Sequence, residues 1–148
     1  MKKYLLLLAA LTVAGQAQAF GENGRWSSGW GQGVSEYVVV SGKTQLYIAC
    51  SNYDELASVT LTVNGRDYGM DPNPPFDLIV DGKILSAFYD TSSHVGSNNF
   101  NYGWAAIRKA KTLQVRPQGG KLINLPVQGA SKVLPAAGSK GFSCRTAM

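Results

Sequence analysis

Apolar and polar positions alternate along much of the chain with the two-residue period of a β-strand whose one face is wet. The clearest run is Ala57, Val59, Leu61 and Val63, with Ser58, Thr60 and Thr62 between them. Asn64-Gly65 follows, the strongest short hairpin signal, and turns the chain back through 66–68. Upstream, Gly42-Lys43 suits a two-residue type II′ turn. With that turn the register sets Val39 opposite Leu46, Tyr37 opposite Ile48 and Ser35 opposite Cys50, so apolar residues meet on one face and carry Cys50 inward. Asp81-Gly82 predicts a third hairpin, pairing 76–80 with 83–89 and placing Leu78 opposite Leu85. Pro72, Pro74 and Pro75 interrupt the pattern and force a loop.

Beyond Asp90 the alternation lapses. Residues 91–103 read as a polar loop rich in Ser and Asn, long for a connection in a compact domain and therefore of the kind that carries function. Residues 104–111 suit a short helix, with Ala105, Ala106 and Ala110 favouring it and Arg108, Lys109 and Lys111 near its negative end. A last strand pair, 112–116 with 122–125, sets Val115 opposite Ile123 and Leu113 opposite Leu125. Residues 130–134 suit one helical turn before Pro135.

The N-terminus has a different grammar. Lys2 and Lys3, an apolar run over 4–15 and Ala17-Gln18-Ala19 are the three parts of a secretory signal, so 1–19 is expected to be removed, leaving Phe20 first. The run is too short for the roughly 20 apolar residues of a bilayer span, and no later run reaches that length, so no transmembrane segment is expected in the mature chain. Residues 20–33 are Gly-rich with Trp26 and Trp30 among them and read as a flexible arm, part of which docks through the indoles. Residues 34–148 then form one β-rich domain. The expected fold is mostly β: a small antiparallel sandwich or barrel with one or two short helices.

Cys50 and Cys144 are the only cysteines. An even count in a small exported domain reads as a disulfide, which in the chain-entropy model contributes about 4 to 5 kcal/mol as an upper estimate. The expected location is accordingly periplasmic or secreted.

Charge is split along the chain. All nine acids lie between Glu22 and Asp90, whereas Arg108, Lys109, Lys111, Arg116, Lys121, Lys132, Lys140 and Arg145 follow with no acid among them. Neutralisation of one half by the other across strand pairs accounts for this more economically than a basic face for an anionic partner. Nucleic-acid binding is not expected, because the net charge is modest and the bases follow no known motif.

Candidate chemistry is sparse. His94 is the single histidine, and no nucleophile-elbow motif accompanies it. Zinc spacing, a calcium-loop pattern and phosphate-binding glycines are absent from the sequence, so neither a metal site nor a cofactor is expected. Asp77, Asp81 and Asp90 are candidates for the paired carboxylates of a sugar hydrolase, although each sits beside a turn, where Asp serves the backbone. Aromatic and polar surface remains. His94, Asn98, Asn99, Phe100, Tyr102 and Trp104 mix small polar groups with aromatics as recognition loops do, and Trp26 and Trp30 add anchors from the arm.

From Trp104 to Ala137, the run Ala110-Lys111-Thr112-Leu113-Gln114-Val115, then Asn124-Leu125-Pro126-Val127-Gln128-Gly129 and a short apolar turn, resembles the C-terminal pattern of invasion-associated locus B type proteins. That resemblance implies a small exported bacterial protein of β-sandwich character linked to host contact. The chain has two cysteines where that pattern implies four, and no functional residue is carried over. The expected function is a non-enzymatic protein-binding module of the bacterial envelope, whose partner is another protein or an envelope glycan. The alternatives are a cell-wall or sugar-active hydrolase using the loop carboxylates, and a structural component of an envelope assembly whose arm adds a strand to a neighbour.

Overall fold

The computed structural model describes residues 20–148; the expected signal, 1–19, lies outside the described residues. Among the described residues nine strands and two helices follow one another as β1 (Trp26–Gly31), β2 (Val34–Ser41), β3 (Thr44–Ser51), β4 (Ser58–Val63), β5 (Arg66–Gly69), β6 (Phe76–Val80), β7 (Lys83–Ser86), α1 (His94–Arg108), β8 (Leu113–Pro117), β9 (Ile123–Leu125) and α2 (Ala130–Val133). They form two antiparallel sheets, ordered β1-β2-β3-β4-β5 and β7-β6-β8-β9. Val39, Leu46, Ile48 and Leu61 of the first sheet and Leu78, Val80, Leu113 and Val115 of the second share one core, which makes the fold a sandwich. Neither sheet closes into a barrel.

Turn chemistry fixes the hairpins. Val39 faces Leu46, Tyr37 faces Ile48 and Ser35 faces Cys50 across the Gly42-Lys43 turn. Asn64 and Gly65, at φ 50° and 80°, and Asp81 and Gly82, at 48° and 81°, take the paired left-handed conformations of a type I′ turn. Leu78 faces Leu85, and the last pair sets Val115 opposite Ile123 and Leu113 opposite Leu125. The Cys50–Cys144 disulfide joins positions 94 residues apart and ties the C-terminal segment to β3.

Ion pairing answers the uneven charge. Arg116 Nη2 lies 2.8 Å from Asp77 Oδ2, the two residues being direct partners across β6 and β8, and Arg145 pairs with Asp54. Both described ion pairs join an acid of the first half to a base of the second.

Two expectations are corrected. The segment 20–33 is not a flexible arm: β1 runs antiparallel to β2 from Trp26 opposite Val39 to Gly31 opposite Val34. The entropy cost of its glycines is offset by the backbone bonds to β2 and by full burial of the Trp26 side chain. The segment 91–103 is not a loop either, because α1 begins at His94 and absorbs most of it. Ser93 caps that helix, its Oγ accepting from the Gly96 N–H at 3.0 Å. Gly96, Ser97, Phe100, Gly103, Trp104 and Ile107 then form one buried face.

Close approach is what that face requires. A Cβ on Gly96 would stand 1.8 Å from the Asp90 carbonyl oxygen, and one on Gly103 would stand 2.7 Å from the Phe88 ring and 3.0 Å from Leu85. Both glycines let the helix lie directly on the preceding turn and on β7. Trp104, at the centre, meets Tyr37 edge-on with centroids 5.1 Å apart and Phe142 at 5.4 Å, and its Nε1–H donates to the Pro135 carbonyl at 2.8 Å.

Candidate functional site

With its inner face locked in the core, α1 turns a rigid outer stripe to solvent. His94, Asn98 and Tyr102 succeed one another at four-residue spacing and are all exposed, joined by Val95 and Asn101. Structure borders the stripe on both sides. On one, Lys83 of β7 places its ammonium 3.9 Å from the Tyr102 ring centroid, and Asn99 Nδ2 donates to the Ser86 carbonyl at 2.6 Å. On the other, the C-terminal segment runs alongside, with Asn101 Nδ2 donating to Thr146 Oγ1 at 3.2 Å and His94 Nδ1 lying 2.9 Å from Met148 Sδ.

The residues expected to bind therefore separate into two groups. His94, Asn98, Tyr102 and Trp30 are on the surface, and Asn99 is half-buried and engaged with β7. Phe100 and Trp104 are fully buried and Trp26 is 1% exposed, so these three build the core and present nothing to a ligand. The neighbours of Trp104 in sequence suggest a helix start, but it lies in the third turn of a longer helix whose period carries it inward. The arm and the 91–103 segment were expected to act together. Instead α1 packs on α2, β7 and β6, while β1 packs on β2 and α2.

Lys83 carries no signal of this role in the sequence. It sits after the Asp81-Gly82 turn, and no local pattern connects it with a tyrosine nineteen positions on. Equally silent in the sequence is a cleft of about 390 Å³ beside the disulfide, lined by Tyr53, Phe142, Ser143 and Arg145 among others. Periodicity gives no access to a cleft assembled from two distant segments.

The candidate carboxylates are occupied structurally. Asp77 is paired with Arg116. Asp81 Oδ1 accepts the backbone N–H groups of Thr112 and Lys111, each at 2.9 Å, and these bonds hold its carboxyl below the usual range. Asp90 is likewise lowered, chiefly by the Ser92 hydroxyl at 2.7 Å. A glycosidase acid needs the opposite, a raised value that keeps its proton near neutral pH. Along an extended strand Asp77 and Asp81 are also about 13 Å apart, beyond the roughly 5 to 10 Å of a catalytic pair. Among the described residues no three His, Cys, Asp or Glu side chains are grouped to hold a metal ion, and no helix is long and apolar enough to cross a membrane.

Elsewhere on the first sheet, Tyr47 Oη donates to Glu36 Oε1 at 2.5 Å. Burial first and then the bonded carboxylate push the Tyr47 phenol up to about 12, so it stays a proton donor throughout the physiological range.

Fold and surface together define a disulfide-stapled two-sheet sandwich that carries an outward-facing helix stripe. Residues 24–134 match the YfjT family, and the chain belongs to that family. The matched span takes in both sheets and both helices and stops short of Cys144. No curated protein and no solved structure matches the chain.

Proposed function

We propose that this protein is an exported, non-enzymatic binding module of the bacterial envelope that recognises another protein through the outer stripe of α1. The carrying observation is Tyr102, 50% exposed yet held under the Lys83 ammonium, with His94 and Asn98 in line on a helix that cannot shift without opening the core. An aromatic presented on a rigid element loses little entropy when it is covered, which is the property of an interface anchor. The disulfide supports an oxidising compartment, periplasmic or secreted, and the secretory pattern of 1–19 supports export. The resemblance of 104–137 to exported proteins linked to host contact points the same way. Structural bonding of Asp77, Asp81 and Asp90 weighs against the hydrolase reading.

Affinity capture from envelope and host extracts tests the proposal, with wild type and Tyr102→Ala as paired baits and equal melting temperatures as the entry condition. A partner held by wild type and weakened by about 1 to 2 kcal/mol or more in the variant is the expected result. Partners indifferent to Tyr102, His94 and Lys83 substitutions would remove the stripe as the site. Selective retention of envelope glycans over proteins would move the partner to the other expected class.

A further inference from the structure

The four sheet edges are unequally guarded. β5 is short and carries Arg66 and Asp67, and its Gly69 N–H donates to the Pro74 carbonyl. β7 is short, starts with Lys83, and has its Ser86 carbonyl occupied by Asn99. β9 has three residues and runs into Pro126. Only β1 is long and uncharged: Trp-Ser-Ser-Gly-Trp-Gly, without a proline. Charge, proline, shortness and covering groups are the usual means of blocking edge-to-edge pairing, and β1 lacks most of them.

Register shows which β1 groups are free. A two-residue turn links Gly31 to its partner Val34, so Gly31, Gly29 and Ser27 exchange hydrogen bonds with β2 while Trp30, Ser28 and Trp26 point their N–H and C=O groups away from it. The Trp26 N–H follows this rule, donating outward to the Gln128 carbonyl at 2.9 Å. The edge backbone of Ser28 and Trp30 has no such partner among the described residues. Exposed aromatics flank this stretch on both faces of the strand. Trp30, 70% exposed, projects on the same side as Trp26, and Phe20, 45% exposed, lies over Gly29 on the other, its ring 3.1 Å from where a Cβ would stand. A recess of about 140 Å³ at the same edge is lined by Phe20, Glu22 and Arg25 together with Trp26, Ser28 and Val133.

We infer that β1 is a self-association edge whose partner is a second copy of this chain. Antiparallel pairing with Gly29 on the two-fold axis sets Ser28 opposite Trp30 of the other copy, and the reverse. Both free residues on each side then gain their backbone partners. The same register lays each exposed Trp30 beside the other copy's Ser28, at the mouth of the recess that Ser28 shares with Trp26, Arg25 and Glu22. On the opposite face it brings the two Phe20 rings toward the axis. Knob and recess are two residues apart on one strand, so the edge is complementary to itself in a single register. An unrelated extended peptide would satisfy the backbone but has no reason to carry a tryptophan at that spacing.

Sedimentation velocity on the purified chain from about 1 µM to about 500 µM tests this, read together with amide exchange. Expected are a dimer that grows with concentration and, in parallel, slowing exchange at the Ser28 and Trp30 amides, with Ser27, Gly29 and Gly31 protected throughout. Ser28→Pro removes an N–H that points away from β2 and should weaken dimerisation at least tenfold. Trp30→Lys, at a position already exposed, should do the same, and it serves if Ser28→Pro lowers the melting temperature. Tyr102→Ala should leave the dimer intact. A single-chain mass at every concentration overturns the inference, and so does a dimer that withstands both edge substitutions.

Discussion

In the β2–β3 hairpin, Gly42 and Lys43 set the register at the turn, and every cross-strand pair follows from that local geometry. In α1 local chemistry opposes the element: Gly96, Gly103, Asn98, Asn99 and Asn101 are all poor helix formers. The helix exists because Phe100, Trp104 and Ile107 are wanted in the core and because two glycines let the backbone reach it. The hairpin is specified within some ten residues, the helix by everything it touches. A helix specified in this way has little freedom in position, which suits its outer face to recognition.

The contrast is broken most forcefully at Trp104. Trp104→Ala should cost about 3 to 5 kcal/mol in urea unfolding, since it empties the space between Tyr37, Phe100 and Phe142 and leaves the Pro135 carbonyl without its donor. A loss under about 1 kcal/mol would mean that α1 is held by its own propensity.

Gly96→Ala sharpens the same point through its sign. In a helix governed by propensity this change stabilises by about 1 kcal/mol. Here the new methyl strikes the Asp90 carbonyl oxygen, so a destabilisation of about 1 to 3 kcal/mol is expected, with Gly103→Ala behaving similarly against Phe88. Thermal melts of the two variants decide between the signs.

Asp90 provides a pH handle on the turn that leads into α1. Its carboxyl is lowered in the folded state, so the stability it contributes is present above the ordinary carboxylate value of about 3.9 and is lost as pH falls through the folded value. Urea midpoints should decline from pH 5 toward pH 2, and Asp90→Asn should flatten part of that decline. Asp81, also lowered, acts with the same sign. Equal slopes in wild type and variant would show that the Ser92 bond does not survive in solution.

The smallest stability effect belongs to the outer stripe. Tyr102→Ala removes only the contact with Lys83 and should cost less than about 1 kcal/mol, while having the largest effect on partner capture. A large loss of stability would mean that Tyr102 serves the fold.

The same contrast sets what could be read from the sequence. Asn64-Gly65 and Asp81-Gly82 announce their turns, so these hairpins were legible, and the even cysteine count made the disulfide so; the β3–β4 and β6–β8 pairings were not. The inward period of α1 is also written in the chain, at 96, 97, 100, 103, 104 and 107, but glycine and asparagine mask it as a loop. β1 was hidden similarly, because its turn is Gln32-Gly33, with Gln32 at φ 53°, a residue seldom found in that conformation. Of the candidate site, His94, Asn98 and Tyr102 were found through residue type alone. Buried Phe100 and Trp104 were grouped with them, since composition does not tell one side of a helix from the other.

The span of the disulfide has a consequence in time. On the export route proposed above, a chain crossing the membrane N-terminus first would deliver Cys50 while its partner is still 94 residues behind. The early hairpins would then emerge with an unpaired thiol, and in that interval the only other cysteine Cys50 could meet would belong to another molecule. On that route closure would come last, when the segment that lies along α1 has also arrived. A pulse of membrane-impermeant alkylating agent during export should therefore label Cys50 in arrested chains and leave completed ones untouched; arrested chains that resist labelling would contradict this order.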